Sequence, residues 1–130
     1  MCTVDLHISA KQDLRKLRNE NLDAFTDILA LLEVIRDDPA AIDKLTTHDN
    51  VAFADENVNV KKWINARPEN LWRFRLLDSP ATVYRVVYGY HWQTRTVHVL
   101  AVVHKEEFDY DNLQTDLGRR ILSDWKESTE

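Results

Sequence analysis

Val4, Leu6 and Ile8 alternate with Asp5 and His7 near the start of the chain, the period of a strand with one buried face. From Ser9 onward the period lengthens. Ser9 stands three residues before Gln12 in a capping-box arrangement. Leu14, Leu17, Phe25, Ile28, Leu29, Leu32 and Ile35 then follow at helical steps and form an apolar stripe. Asn is a poor residue for a helix interior, so a break is expected near Asn19–Asn21. Asp38-Pro39 reads as an N-cap with Pro at the first helical position, which predicts a short helix to about Leu45. Residues 46–58 are polar and weakly patterned and are expected to form a loop. Residues 59–66 predict another short helix, ended before Pro68.

The period then shortens. Leu71 to Leu77 predicts a strand, Asp78-Ser79-Pro80 a turn, Val83 to Trp92 a second strand, Gln93-Thr94 a hairpin connection and Thr96 to Val103 a third strand. Asp111 stands three residues before Gln114, and Leu113, Leu117, Ile121 and Trp125 step by four along a C-terminal helix. Segregated elements of this kind define an α+β fold: an N-terminal strand and helices, then a three-stranded meander, then a C-terminal helix. The meander must be antiparallel, because its connections are too short for crossovers. Its sheet is expected to turn one face to the helices and to leave the other partly in solvent. No linker or repeat divides the chain, so residues 1–130 are expected to be a single domain.

Composition narrows the classes. At 130 residues, with 44% hydrophobic side chains, the chain can bury a core without disulfides or a structural metal. The frequency of Leu, Ile, Val and aromatic residues excludes disorder as the main state. The longest apolar stretch, Val97 to Val103, contains His98 and is far short of the roughly 20 residues of a membrane span. The first residues lack the basic and apolar pattern of a secretory leader. Cys2 is the single cysteine, so no internal disulfide or Cys-based zinc site is expected. A reduced, cytoplasmic protein is therefore expected.

The net charge of -5 conceals an uneven distribution. Residues 1–60 hold six basic and twelve acidic side chains, residues 61–105 hold eight basic and two acidic, and residues 106–130 hold three basic and eight acidic. The basic block coincides with the meander. Arg73 and Arg75 are two apart on one strand and share a face, and Arg85 lies on the next strand. Guanidinium is permanently charged and grips phosphate with two donors. His104, Lys105 and Tyr110 follow the last strand. Phosphate-binding cations with an imidazole and a phenol nearby could run metal-free RNA cleavage: a base activates a 2′-hydroxyl, an acid protonates the leaving 5′-oxygen, and cations hold the charge of the phosphorane. The competing reading pairs the arginines with Asp or Glu, places His104 as an ordinary strand-end residue and packs Tyr110 under the last helix. His7, His48, His91 and His98 show no ligand-like spacing and are read as structural. The tryptophans are read as core, with Trp92 kept open as a stacking platform.

The strands also carry a resemblance. Leu71-Trp72-Arg73-Phe74-Arg75-Leu76, then Tyr84-Arg85-Val86-Val87-Tyr88, then Val99-Leu100-Ala101-Val102-Val103-His104-Lys105 and Tyr110 resemble the RelE/ParE superfamily of toxins from bacterial type II toxin–antitoxin systems. The resemblance implies a RelE/ParE-like fold and, in its ribonuclease branch, cleavage of mRNA on the ribosome with no metal or other cofactor. Arg73 and Arg75 would bind the phosphate. Arg85 would hold it in the transition state, Tyr110 would orient or activate the 2′-hydroxyl, and His104 or Lys105 would be the acid. The implied partners are a cognate antitoxin, mRNA and the ribosome, with no membrane. Such an antitoxin would wrap the sheet and the last helix, by coupled folding and binding. Two alternatives stand beside this: a ParE-like inhibitor of DNA gyrase, and a non-catalytic member repurposed to bind a partner protein. The acidic balance of the chain favours the last, and the acidic run Glu106, Glu107, Asp109 and Asp111 beside the basic strands would repel RNA.

Overall fold

A computed structural model describes residues 2–130. The elements run β1 (Thr3–Leu6), α1 (Ile8–Glu20), α2 (Leu22–Asp37), α3 (Ala41–Leu45), β2 (Asp49–Phe53), β3 (Glu56–Lys62), β4 (Leu71–Leu76), β5 (Tyr84–His91), β6 (Thr96–His104) and α4 (Asp116–Thr129). The fold is α+β, as the period of the sequence predicts. Six strands form one sheet in the order β1-β6-β5-β4-β3-β2, antiparallel except for β1, which lies parallel to β6.

Several boundaries follow directly from side-chain chemistry. His7 Nδ1 accepts from the Ser9 N–H at 3.0 Å and caps α1 in place of the expected Ser9. Asn21 ends α1 and caps α2 by accepting from the Ala24 N–H at 3.1 Å, so the expected break falls there. Asp38 accepts from the Ala40 N–H at 2.7 Å and from Lys44 Nζ at 2.6 Å, which holds the turn into α3. These two bonds, the Lys44 bond first, pull the Asp38 carboxyl below its ordinary value. The last helix begins later than the Asp111 pattern suggests: Thr115 caps it, accepting from the Gly118 N–H at 2.9 Å.

Two expectations are corrected. Residues 46–58 are not a loop and 59–66 are not a helix. Asp49–Phe53 and Glu56–Lys62 form a β-hairpin that extends the meander, and only Ile64–Ala66 makes a single 3₁₀ turn. The physical reason is tertiary. Val58 and Val60 are buried against the helices, while Asn57, Asn59 and Lys61 face the other way. A strand with one polar face shows little β propensity along its sequence.

The sheet has helices on both sides. Against one face lie α1 and α2, with Leu14, Leu17, Ile28 and Ile35 packed on Phe74, Tyr88 and Val99. Against the other lies α4, with Ile121 and Trp125 over Val87, Leu100 and Ala101. Ile121 and Trp125 are thus core, while Leu113 and Leu117 pack at its margin.

Strand β6 carries a bulge. Val87 pairs with Ala101 but Tyr88 with Val99, so Leu100 is the extra residue. A bulge leaves backbone groups off the ladder, and here they are met from the helices. Asp13 of α1 accepts from the Val102 N–H at 3.0 Å and from Arg120 of α4 at 2.7 and 3.2 Å. Arg120 also donates to the Leu100 carbonyl at 3.2 Å. Asp13→Ala strands a buried N–H and a half-buried guanidinium together. It should cost about 2–3 kcal/mol, measured as a lower urea midpoint with an unchanged slope.

Candidate functional site

Alternation along β4 sends Trp72, Phe74 and Leu76 into the core under α1 and α2, and Arg73 and Arg75 to the opposite face. Across the sheet, Lys61 of β3 is the partner of Arg73, and Asn59 the partner of Arg75. Phe74 pairs with Val86, so Arg85, one residue earlier on β5, lies level with Arg75. Helix α4 covers only the β5–β6 half of this face. The uncovered half is a concave cavity of about 470 Å³ whose wall includes Lys61, Arg73, Arg75, Arg85 and Tyr110.

The arginines are held without carboxylates. Arg73, 3% exposed, donates one Nη1 bond to the Asn59 carbonyl at 3.0 Å, and its Nε has no partner. Arg85 donates to the carbonyls of Thr82 and Tyr84 at 2.8 and 3.2 Å. Arg75 reaches the Thr82 hydroxyl at 3.4 Å. Among the described residues, the ion pairs within 4.0 Å use other cations, such as Lys44 with Asp38 and Arg120 with Asp13. None involves Lys61, Arg73, Arg75 or Arg85, so the reading of the arginines as structural ion-pair partners is not met. Burial pulls the Arg73 guanidinium below its ordinary value, the Tyr110 phenol opposes this, and the cations of Arg85 and Arg75 add to it.

Tyr110 sits beside this cation. Its ring centroid is 5.9 Å from the Arg73 guanidinium carbon and 4.4 Å from the Phe108 ring. Its backbone is clamped: Trp63 Nε1 and Asn65 Nδ2 both donate to the Tyr110 carbonyl, at 3.0 and 2.8 Å. Its hydroxyl is buried and has no hydrogen-bond partner among the described residues. The Arg73 Nε likewise has no partner among the described residues, although buried polar groups are normally hydrogen-bonded.

His104 requires a correction. It pairs with Tyr84, and their rings meet edge to face at 5.5 Å. Tyr84 packs on the α1–α2 side, so His104 faces away from the arginines. The Leu100 bulge is the reason, since it reverses which residues of β6 face α4. Lys105 is exposed at the start of the turn Lys105–Glu107 and lies outside the cavity wall. The structure therefore brings Arg73, Arg75, Arg85 and Tyr110 together and leaves His104 and Lys105 apart. It also adds Lys61 and His48, which sequence reasoning passed over because it read their segment as loop and helix.

The other histidines divide. His91 and His98 pack their rings against Trp125, at 6.4 and 6.0 Å. Burial pulls His98 below its ordinary value, with Asp5 opposing. His7 lies 3.5 Å from Asp124 and 3.2 Å from Glu127, a grouping the sequence spacing hides. Trp92, 70% exposed, is at the β5–β6 turn, seven residues and roughly 20 Å along β5 from Arg85. No described helix is long and apolar enough to cross a membrane.

No protein-family model matches the sequence, and no curated protein matches it. Among solved structures, the chain is similar to the archaeal RelE–RelB complex from Pyrococcus horikoshii OT3, at 15% identity over 82% of this chain and 98% of that one, with a TM-score of 0.46. It is also similar to the toxin–antitoxin complex RelBE2 from Mycobacterium tuberculosis, at 18% identity over 79% of this chain and 96% of that one, with a TM-score of 0.42.

Proposed function

We propose that this chain is the toxin of a type II toxin–antitoxin pair and cuts mRNA on the ribosome, with cavity cations stabilising the reacting phosphate. The observation that carries this reading is the set of five cations, Lys61, Lys62, Arg73, Arg75 and Arg85, which line one cavity and form no ion pair within 4.0 Å among the described residues. Arg73 holds its charge out of water with no carboxylate within 4.0 Å among the described residues, which is costly to the fold, and a phosphodiester would supply the missing counter-charge. Arg73 and Arg75 hold the non-bridging oxygens, with donors in place before the phosphorane forms. Arg85, fixed by two backbone carbonyls, grips the phosphate as negative charge builds on it. The Tyr110 hydroxyl orients the attacking 2′-oxygen. The 2′-oxygen attacks phosphorus, the P–O5′ bond breaks, and the products are a 2′,3′-cyclic phosphate and a 5′-hydroxyl. A cognate antitoxin is the expected protein partner, as the sequence resemblance implies.

The test is induced expression in bacteria with primer extension on a reporter mRNA. Growth arrest with translation-dependent cuts within codons is expected. Arg85→Ala and Tyr110→Phe should each remove at least about 10²-fold of the cutting while the protein stays soluble. Arrest with intact mRNA and an induced DNA-damage response would move the protein to gyrase inhibition. A folded Arg85→Ala variant that cuts as the unsubstituted protein does would remove Arg85 from the chemistry.

A further inference from the structure

Cleavage of this kind moves two protons, one off the 2′-hydroxyl and one onto the 5′-oxygen. Arginine cannot take part in either transfer, because it does not release its proton in proteins. The two groups that the sequence offered as acid, His104 and Lys105, lie outside the cavity. The wall contains two other side chains suited to the work.

His48 is in the turn between α3 and β2. It immediately precedes Asp49, whose partner across the sheet is Val60, so it stands level with Lys61 at the end of the Lys61–Arg73 row. It is the one imidazole on the wall. Asp111 is the one carboxylate on a wall rich in cations, and it forms no ion pair within 4.0 Å among the described residues. Its Oδ1 accepts from Asn65 Nδ2 at 3.1 Å, and the same amide donates to the Tyr110 carbonyl at 2.8 Å. One side chain thus ties the backbone of Tyr110 to the carboxylate of Asp111. A carboxylate in its ionised form only accepts, whereas an imidazole carries a proton it can give near neutral pH.

We propose that Asp111 takes the proton from the 2′-hydroxyl and His48 gives one to the departing 5′-oxygen, an assignment that rests on the ribonuclease reading above. The electron pair of the 2′-O–H bond forms the new P–O2′ bond. The pair of the P–O5′ bond leaves with the 5′-oxygen and captures the His48 proton. Asp111 keeps the first proton until solvent exchange resets both groups. Asn65 acts as a positioning residue through its two bonds.

A sulfur-substituted substrate separates these roles. RNA oligonucleotides with one cleavable linkage are prepared with either oxygen or sulfur at the 5′-bridging position, and each is presented free and on programmed ribosomes. Sulfur leaves as thiolate and needs no proton. His48→Ala is expected to lose about 10²–10⁴-fold on the oxygen ester and less than about threefold on the sulfur ester. Asp111→Asn is expected to lose a similar factor on both. Thermal unfolding of the variants, both altered at exposed positions, should match the unsubstituted protein. His48→Ala that cuts the oxygen ester at full rate, or loses equally on both esters, overturns the acid assignment. Full activity in Asp111→Asn overturns the base assignment. If the unsubstituted protein cuts neither substrate in either setting, the ribonuclease reading falls, and this inference with it.

Discussion

With Arg73 replaced by methionine, the protein should unfold at a higher temperature and no longer cut RNA. The two effects share a cause. Arg73 is 3% exposed, donates to the Asn59 carbonyl, is partly supported by the Tyr110 phenol, and has no acidic partner within 4.0 Å among the described residues. Its charge is therefore held away from water with little in return, and Arg85 and Arg75 stand close enough to worsen the balance. Methionine fills a similar volume without charge. Replacing buried charge by well-packed apolar side chains is commonly neutral or stabilising, and here the gain should be about 1–2 kcal/mol, a shift of several degrees. The cost falls on the site, which loses the donor nearest the Tyr110 phenol. Activity should drop by at least about 10²-fold. A short RNA with an uncleavable 2′-deoxy linkage supplies a third readout. It should raise the unfolding temperature of the unsubstituted protein by mass action and that of Arg73→Met far less. A destabilised Arg73→Met protein would show that the charge is compensated, and the cavity would lose its main argument.

Gly89→Ala should be among the most damaging single changes in the molecule. A Cβ at Gly89 would lie 2.2 Å from Trp125 Cζ3 and 2.5 Å from Cε3. The indole cannot swing clear cheaply. It is 5% exposed, its Nε1 donates to Glu69 Oε2 at 2.7 Å, and the rings of His91 and His98 flank it. Either α4 lifts from the sheet or the strand moves. The expected loss is about 3 kcal/mol, at the upper end for overpacking, or roughly 10 °C in the unfolding midpoint. The segment that carries Tyr110 leads into α4, so cutting should also weaken before the fold is lost. Gly89→Ala with Trp125→Leu tests the mechanism, since removing the ring removes the clash. The pair should cost at least about 1 kcal/mol less than the sum of its single changes. Strict additivity would place the damage in the backbone of β5 and not in the contact.

The strands β4, β5 and β6 were legible because each is rich in branched and aromatic residues and is set off by turn residues such as Asp78-Ser79-Pro80 and Gln93-Thr94. The α1–α2 break was legible because Asn21 both interrupts a helix and caps one. The β2–β3 hairpin was not legible, for two reasons. Its open face carries Asn50, Asn57 and Asn59, which suit a wet surface and disguise a strand. Its turn places Ala54 at φ 53°, a conformation usually flagged by glycine or asparagine, so the usual hairpin signal is absent. At the site, parity placed Arg73, Arg75 and Arg85 on one face and the structure agrees. The side on which His104 falls was not legible, because one inserted residue, Leu100, reverses the alternation along β6, and nothing in Val97 to Val103 announces a bulge. Lys61 and His48 were lost with the hairpin that presents them.

The parallel pairing of β1 with β6 joins Thr3 to Thr96 and Leu6 to Val99. On the ribosome, the strand made early must wait for one made more than ninety residues later, roughly 5–20 s at ordinary elongation rates. During that interval the helices α1 and α2 have only the β2–β5 portion of the sheet to rest on. The antiparallel strands β4, β5 and β6 close short loops and can pair as they emerge. Sheet completion, and with it the meeting of Asp13 with the β6 bulge, is thereby deferred until nearly the whole chain has left the tunnel, so a nascent chain stalled before β6 presents its cations without the Tyr110 segment that completes their cavity.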